Sequence, residues 1–251
     1  ITRFLAIYYS NPPEIIGPIR SARPYIVLKA IEFDAFLAHV GGSEQALADI
    51  VNLGVADLDG LWSGAFRRIP PKAPPHNTYA YYADLITEAE NQGYRMHSVP
   101  EFYDFGEINP ELFKENAGLI RFDYRDYGVY GDSGYSVHYV YDGEKNVYTR
   151  LVNGEVCVDE IDDSPVTVSN ILVQYATHEV LDDAGRLAID LFSGGEGYLF
   201  RDGKVSKVTW SKEANQALTR FTHEDGSEIL LTPGKTILHV VYPGIFQYSE
   251  E

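Results

Sequence analysis

Three arginines lie near the start of this chain: Arg3, and then Arg20 and Arg23 just after the turn at Gly17-Pro18. The formal net charge is −17, yet residues 1–23 contain these arginines and a single acidic residue. Guanidinium groups bind carboxylates and phosphates bidentately and stay charged at any working pH. The turn therefore predicts an anion-binding site formed by Arg3, Arg20, Ser21 and Arg23. The alternative is that these arginines pair with acidic residues of the same chain or cap its carbonyl groups.

A second group of candidates lies between a predicted strand and a predicted helix. His39 is followed after one residue by Gly41, Gly42 and Ser43. A strand that ends in Gly-Gly and opens a helix presents backbone N–H groups, and the helix dipole favours an anion there. Ser43 is also a candidate nucleophile with His39 or His76 as its base. The alternative is a serine that only caps the helix.

A third group flanks a proline-rich loop at residues 69–75. Arg67 and Arg68 precede the loop, and His76 and Asn77 follow it. Such a loop can form the wall of a pocket, and His76 can exchange protons near neutral pH, which also makes it a candidate catalytic residue. The alternative is a structural loop whose Asn77 caps the next helix. We include His76 and Asn77 in the predicted site.

Composition excludes several kinds of protein. The single cysteine cannot form an internal disulfide, and the seven histidines lack the spacings of zinc sites, so we predict no metal and no cofactor. The acidity argues against duplex nucleic acid as a partner, because Lys and Arg must replace counterions along the phosphate backbone. The chain has no apolar run of about 18 residues, as a membrane-spanning helix would need.

The first half of the chain must position all three groups. We predict a strand at residues 3–9 and a helix at residues 24–37. The alternative for residues 36–40 is the start of a strand. A helix at 44–53 has Ser43 as its N-cap and Gly54 as its C-terminal stop. A further helix is predicted at residues 79–91.

The second half has the pattern of β-hairpins. Turn signals alternate with runs rich in Val, Ile, Thr and Tyr, at Asp142-Gly143, Asn153-Gly154, Asp202-Gly203, Asp225-Gly226 and Pro233-Gly234. The net charge is −5 for residues 1–125 and −12 for 126–251. We therefore predict an α+β protein, with a mixed α/β domain at 1–125 and a mainly antiparallel β-sandwich or open barrel at 126–251. The boundary is placed by the glycine cluster Gly128, Gly131 and Gly134.

The same motifs resemble a known family. The stretches 2–8, 16–23, 39–43 and 75–77 are similar to the N-terminal domain of the YerB-like lipoproteins, and 148–150, 208–212 and 226–236 to their C-terminal domain. The resemblance implies two domains on the extracytoplasmic face of a Gram-positive cell membrane, held by an N-terminal lipid. It also implies that the lipid anchor and an opening strand precede this chain, whose first residue is Ile1.

The resemblance implies no activity, so the functional expectation rests on the residues. We expect an extracytoplasmic lipoprotein that binds an anionic cell-envelope polymer or peptide, through a peptidoglycan carboxylate or a teichoic-type phosphate. One alternative is a hydrolase of envelope glycans or phosphodiesters that uses Ser43 or His76. Another is a protein-interaction module whose partner binds the acidic C-terminal domain. Whether the protein is an enzyme stays open from the sequence.

Overall fold

The structure, a computed structural model, describes residues 3–124, 134–183 and 185–250. The chain divides into two compact units. The N-terminal unit comprises Ile1–Phe102 and Ala214–Leu218, and the C-terminal unit comprises Tyr103–Glu213 and Thr219–Glu251. The domain boundary predicted at residues 125 and 126 lies outside the described residues, as do Gly128 and Gly131 of the glycine cluster.

Three helices lie in the N-terminal unit: α1 Pro24–Ile31, α2 Glu44–Leu53 and α3 Tyr82–Asn91. Local signals set the ends of α2, because the Ser43 side chain accepts from the Ala46 amide and Gly54 adopts the left-handed conformation with φ of 64°. None of the helices in the described ranges is long and apolar enough to cross a membrane.

Three predicted elements need correction. The helix expected at 24–37 ends at Ile31, and Asp34 has φ of 47°, which no right-handed helix contains. The helix expected from residue 79 begins at Tyr82, since the residues before it form a strand. Residues 3–9 belong to no strand, although Leu5 packs against the apolar core beside α1 and α2.

The N-terminal unit contains five short strands: β1 Ile15–Ile16, β2 Leu37–His39, β3 Asp57–Asp59, β4 Phe66–Arg68 and β5 Thr78–Tyr81. Strands β1, β5 and β4 form an antiparallel sheet in that order. Strands β2 and β3 are parallel neighbours connected through α2, which is a βαβ unit. The alternative reading of residues 36–40 as a strand is therefore confirmed by β2.

The C-terminal unit contains fourteen strands among the described residues: β6 Glu115–Asn116, β7 Leu119–Asp123, β8 Ser136–Asp142, β9 Val147–Val152, β10 Glu155–Val156, β11 Thr167–Val168, β12 Asn170–Tyr175, β13 His178–Val180, β14 Leu187–Ile189, β15 Gly195–Arg201, β16 Lys204–Ser211, β17 Arg220–His223, β18 Thr236–Val241 and β19 Phe246–Ser249. One sheet has the order β10-β9-β8-β7-β19, with β11 paired to β9. The other has the order β17-β16-β15-β12-β18, with β6 paired to β16, and β13 and β14 form a separate pair. Strands β12 and β18 run parallel, whereas their neighbours are antiparallel.

The two sheets enclose a common core, which makes this unit a β-sandwich. Side chains from both sheets meet there, including Phe122 and Tyr139 from one sheet and Ile171 and Phe200 from the other. A second core covers the opposite face of the β12 sheet and includes Leu172. Neighbouring residues of β12 are buried on opposite faces, so this strand is buried along almost its whole length. The predicted α+β class with a mainly antiparallel sandwich is confirmed.

Candidate functional site

The imidazole of His39 is held at the end of β2 by two different acceptors. Its Nδ1 lies 2.8 Å from the Gly41 carbonyl oxygen, and its Nε2 lies 2.5 Å from Oδ1 of Asp57. The side chain is buried, because the residue is only 2% exposed. A carbonyl oxygen can only accept, so Nδ1 carries a proton and donates to Gly41. Both ring nitrogens of His39 are therefore engaged within the unit.

The surroundings of His39 favour its charged form. Burial disfavours the imidazolium, but the hydrogen bonds to Asp57 and the Gly41 carbonyl oppose it, as do the negative charges of Asp57 and Asp59. The balance raises the pKa of His39 above its ordinary value. The hydrogen bonds of His39 thus connect β2 with β3 and with the turn at Gly41 and Gly42, which we call the glycine turn.

The glycine turn itself is tied to β3. The Gly41 amide donates to Oδ1 of Asp59 at 2.8 Å, and the Leu61 amide donates to the same oxygen at 3.0 Å. Gly41 has φ of 60°, a conformation that favours glycine. The Ser43 amide donates to the Ala22 carbonyl at 3.3 Å. Two of the amides predicted to bind an anion therefore already have acceptors inside the chain.

The Ser43 hydroxyl serves the helix. Its Oγ accepts from the Ala46 amide at 3.3 Å, which is the geometry of an N-cap. The ring nitrogens of His39 bind Gly41 and Asp57, so the described bonds do not place His39 as the base of Ser43. The capping role proposed as the alternative for Ser43 is the one that the geometry supports.

The turn at residues 16–23, which carries Arg20 and Arg23, lies between the two other groups of predicted site residues. On one side the Ile19 amide donates to the Thr78 carbonyl at 2.7 Å, next to Asn77. On the other side the Val40 amide donates to the Arg20 carbonyl at 3.1 Å, and the Ala22 amide donates to the Gly41 carbonyl at 2.9 Å. Backbone hydrogen bonds thus join three segments of the chain, at residues 19–22, 40–41 and 78.

Gly17 shows why the turn needs a glycine. An added Cβ at Gly17 would lie 2.2 Å from the ring of Tyr79, closer than any real contact. The hydroxyl of the same tyrosine accepts from Lys72 Nζ at 2.6 Å. The turn therefore lies directly on the β5 residue that anchors the proline-rich loop.

Two guanidinium groups bind the consecutive residues His76 and Asn77. Nη1 of Arg20 lies 3.0 Å from Nδ1 and 3.4 Å from Nε2 of His76. Nη1 of Arg68 donates to Oδ1 of Asn77 at 2.9 Å. A guanidinium can only donate, so its bond to His76 requires a ring nitrogen without a proton. Both arginines therefore donate to uncharged acceptors. We call Arg20, Arg68, His76 and Asn77 the arginine cluster.

The remaining predicted arginines have other positions. Arg23 is the N-cap residue of α1, and one of its guanidinium nitrogens donates to the Ala22 carbonyl at 2.7 Å. Arg3 is half-buried, and its Nε has no hydrogen-bond partner among the described residues. Ser21 is half-buried between Arg20 and Ala22. The described hydrogen bonds join only Arg20 of this group to His76.

The predicted site omitted residues that the structure shows to be central. Asp57 and Asp59 hold His39 and Gly41, and Arg68 completes the arginine cluster. The alternation of two aspartates with a buried Leu58 was a readable signal for a short strand with polar edges. Arg68 precedes the proline-rich loop, but no sequence rule pairs it with Asn77 nine residues later.

Comparison with known proteins identifies the family. Residues 1–95 match the N-terminal domain, and residues 127–238 the C-terminal domain, of a family described as "Protein of unknown function (DUF3048)". A Bacillus subtilis protein named "Putative lipoprotein YerB" is 36% identical over 253 residues, covering 96% of this chain and 71% of the relative. The chain belongs to the DUF3048 family.

A solved structure supports the same assignment. The crystal structure of the YerB protein from Bacillus subtilis matches with a TM-score of 0.82 and 31% identity, covering 94% of this chain and 78% of that one. The resemblance inferred from the sequence motifs is thus confirmed, together with the two-domain arrangement of DUF3048 proteins. Among the described residues, no group of three or more His, Cys, Asp or Glu side chains is arranged to hold a metal ion.

Proposed function

We propose that this DUF3048 protein is a lipid-anchored extracytoplasmic protein whose arginine cluster binds an anionic group of the cell envelope. The anion is a peptidoglycan peptide carboxylate or a teichoic-type phosphate. The name of the Bacillus subtilis relative supports the lipid anchor and the compartment. The binding proposal rests on the structure of the cluster.

One observation carries the binding proposal: Arg20 and Arg68 both bind neutral acceptors in a chain of net charge −17. Other arginines of the same unit behave differently, since Arg67 pairs with Asp84 and Arg95 pairs with Asp34. In the part of the chain that the structure describes, neither Arg20 nor Arg68 forms an ion pair with a carboxylate.

The uncompensated charge has a chemical consequence. A guanidinium bound to an imidazole or a carboxamide keeps its full positive charge and several unused N–H donors. A carboxylate or phosphate that approaches Arg20 or Arg68 gains charge-assisted hydrogen bonds without displacing an ion pair. Ser21, next to Arg20, adds a hydroxyl on the same segment.

The geometry supports binding more than hydrolysis. The Ser43 hydroxyl caps α2, and both ring nitrogens of His39 are occupied. His76 is exposed, but its hydrogen-bond partner in the structure is the guanidinium of Arg20. No described group is positioned to activate Ser43 as a nucleophile.

The test compares three variants of equal charge change. Isothermal titration with a soluble muramyl peptide and with a glycerol phosphate oligomer would measure binding to the full chain. We expect Arg20→Gln and Arg68→Gln each to weaken binding of the preferred probe about tenfold, since each removes charged hydrogen bonds. Arg95→Gln is the matched control, because this exposed arginine is paired with Asp34.

The outcomes identify the group that is recognised and can also overturn the proposal. Preference for one probe identifies the carboxylate or the phosphate as the recognised group. Equal losses in all three variants would show a general charge effect and overturn the assignment to the arginine cluster. Unchanged binding in Arg20→Gln and Arg68→Gln would overturn it as well.

A further inference from the structure

The outer face of the C-terminal unit carries a row of polar side chains across three strands. In the ladder register, Arg121 of β7 stands opposite His138 of β8 on one side and opposite Gln247 of β19 on the other. Side chains of directly opposite residues have Cβ atoms about 5 Å apart. The row therefore presents an imidazole, a guanidinium and a carboxamide side by side.

The pleat of the sheet directs this row away from the core. Ile120 and Phe122, which flank Arg121, are fully buried, and so is Tyr139 beside His138. Successive side chains of a strand point to opposite faces. Arg121, His138 and Gln247 consequently share the face opposite the sandwich core.

This face contains a cavity of about 810 Å³. Besides the three residues of the row, its lining includes polar residues, apolar residues and glycines: Asp123, Ser136, Asn153, Phe122, Ile245, Phe246, Gly134, Gly154 and Gly244. The Asn153 carboxamide is fixed, because its Oδ1 accepts from the Ser136 amide at 2.9 Å. The volume lies in the range of sites for small ligands, which is about 300–1,000 Å³.

Arg121 carries the permanent positive charge of the row. Its side chain is exposed and forms no hydrogen bond or ion pair with any residue that the structure describes. Elsewhere in the unit, Arg186 pairs with Asp182, and Arg201 pairs with Asp202. A guanidinium fork in a concave polar surface fits a carboxylate.

Gln247, the neighbour of Arg121 on β19, adds hydrogen-bonding groups of both kinds. The Gln247 carboxamide offers one acceptor and two donors, which match the N–H and C=O groups of a peptide bond. We propose that the C-terminal unit has its own binding site for a short peptide, with Arg121 on the terminal carboxylate and Gln247 on the adjoining peptide group. This site is separate in the chain from the arginine cluster, and it does not depend on that proposal.

The experiment uses the full chain and three probes in isothermal titration. The probes are acetyl-Ala-Ala with a free carboxylate, the same peptide with a C-terminal amide, and inorganic phosphate. We expect the acid peptide to bind and the amidated peptide to bind at least tenfold more weakly. Arg121→Gln should weaken binding of the acid peptide about tenfold, and Gln247→Ala about threefold.

Two control variants make the result specific. Arg220→Gln removes the same charge from an exposed arginine of the same unit, which is paired with Glu228, and should leave binding unchanged. Arg20→Gln should also leave peptide binding unchanged, so failure of this site and failure of the arginine cluster are distinguishable. Equal binding of the two peptides, phosphate binding as tight as that of the acid peptide, no loss in Arg121→Gln, or no binding at about millimolar peptide would overturn the proposal.

Discussion

A buried histidine of the N-terminal unit, His39, and one of the C-terminal unit, His239, have opposite chemistry. His39 is 2% exposed and contacts a carboxylate and a carbonyl. His239 is 7% exposed, and its Nδ1 and Nε2 lie 2.9 Å from the hydroxyls of Tyr124 and Tyr139. Its ring stacks on Phe122 with centroids 4.0 Å apart.

The partners decide the charge state. Burial, together with the positive charge of Arg150, lowers the pKa of His239 to about 3. Burial acts in that direction on His39 too, but Asp57, the Gly41 carbonyl and Asp59 outweigh it and raise the pKa. Burial alone therefore does not predict the charge of a histidine; the partner within hydrogen-bond distance does.

The largest effect on stability is expected from truncating His239 in the core of the sandwich. His239→Ala removes a stacked ring from the core and takes one hydrogen-bond partner from each of the hydroxyls of Tyr124 and Tyr139. We expect the free energy of unfolding of the C-terminal unit to fall by about 3 kcal/mol. Hydrogen exchange with mass spectrometry, measured on peptides from each unit of the full chain, would detect it.

His239→Phe is the matched variant for packing. It keeps a ring in the core and removes only the hydrogen bonds, so its loss should be the smaller one. Equal losses in both variants would show that the tyrosine hydroxyls, and not ring packing, dominate this position.

The second prediction concerns the acid range. The folded pKa of His239 lies below that of the unfolded chain, so its contribution is complete above about pH 6.5 and is lost as the pH falls towards 3. The C-terminal unit should lose up to about 1.4 kcal/mol per pH unit through this group. His239→Phe should show a shallower decline in the same exchange experiment, and identical slopes would contradict the neutral buried state.

The third prediction has the opposite sign and lies in the N-terminal unit. The folded pKa of His39 is raised, so its contribution is complete below about pH 6.5 and is lost as the pH rises through the raised value. Asp57→Asn should lower the stability of this unit by about 1–2 kcal/mol near pH 6 and by less at higher pH.

Exchange of N-terminal peptides at several pH values would measure the Asp57→Asn effect. Glu90→Gln, at an exposed position of α3, is the control for loss of one negative charge. An effect of Asp57→Asn that stays constant with pH would show that the carboxylate does not hold a charged His39.

The smallest effect is expected for the helix cap. Ser43→Ala removes the hydroxyl that accepts from Ala46 and should cost about 1 kcal/mol of stability. A hydroxyl does not titrate in this range, so the loss should be the same at every pH, unlike that of Asp57→Asn. Anion binding at the arginine cluster should be unaffected, and a clear loss of binding would return Ser43 to the site.

Elements with complete local signals could be predicted from the sequence. Helix α2 begins after Ser43 and ends before Gly54 as expected. Asn153-Gly154 and Asp202-Gly203 form two-residue turns with positive φ at both positions. In each case the residues that determine the backbone are adjacent in the chain, so tertiary contacts had little to change.

Elements that depend on a distant strand were predicted less well. Residues 78–81 have an apolar pattern that also suits a helix, but they pair with β1 and β4 and become β5. Residues 37–39 leave the predicted helix because they pair with β3. Short apolar runs satisfy both periodicities, and the available ladder partner decides between them.

The sequence by itself determined the family, the two-domain α+β class, the capped helix, the hairpin turns and the three groups of polar residues near the N-terminus. Only the tertiary structure decided how they are used. It showed that the Gly41 and Ser43 amides already have acceptors, that His39 and His239 have opposite charge preferences, and that Arg20 and Arg68 meet at His76 and Asn77. The physical reason is that these properties depend on partners as far as 115 residues away, which no local pattern encodes.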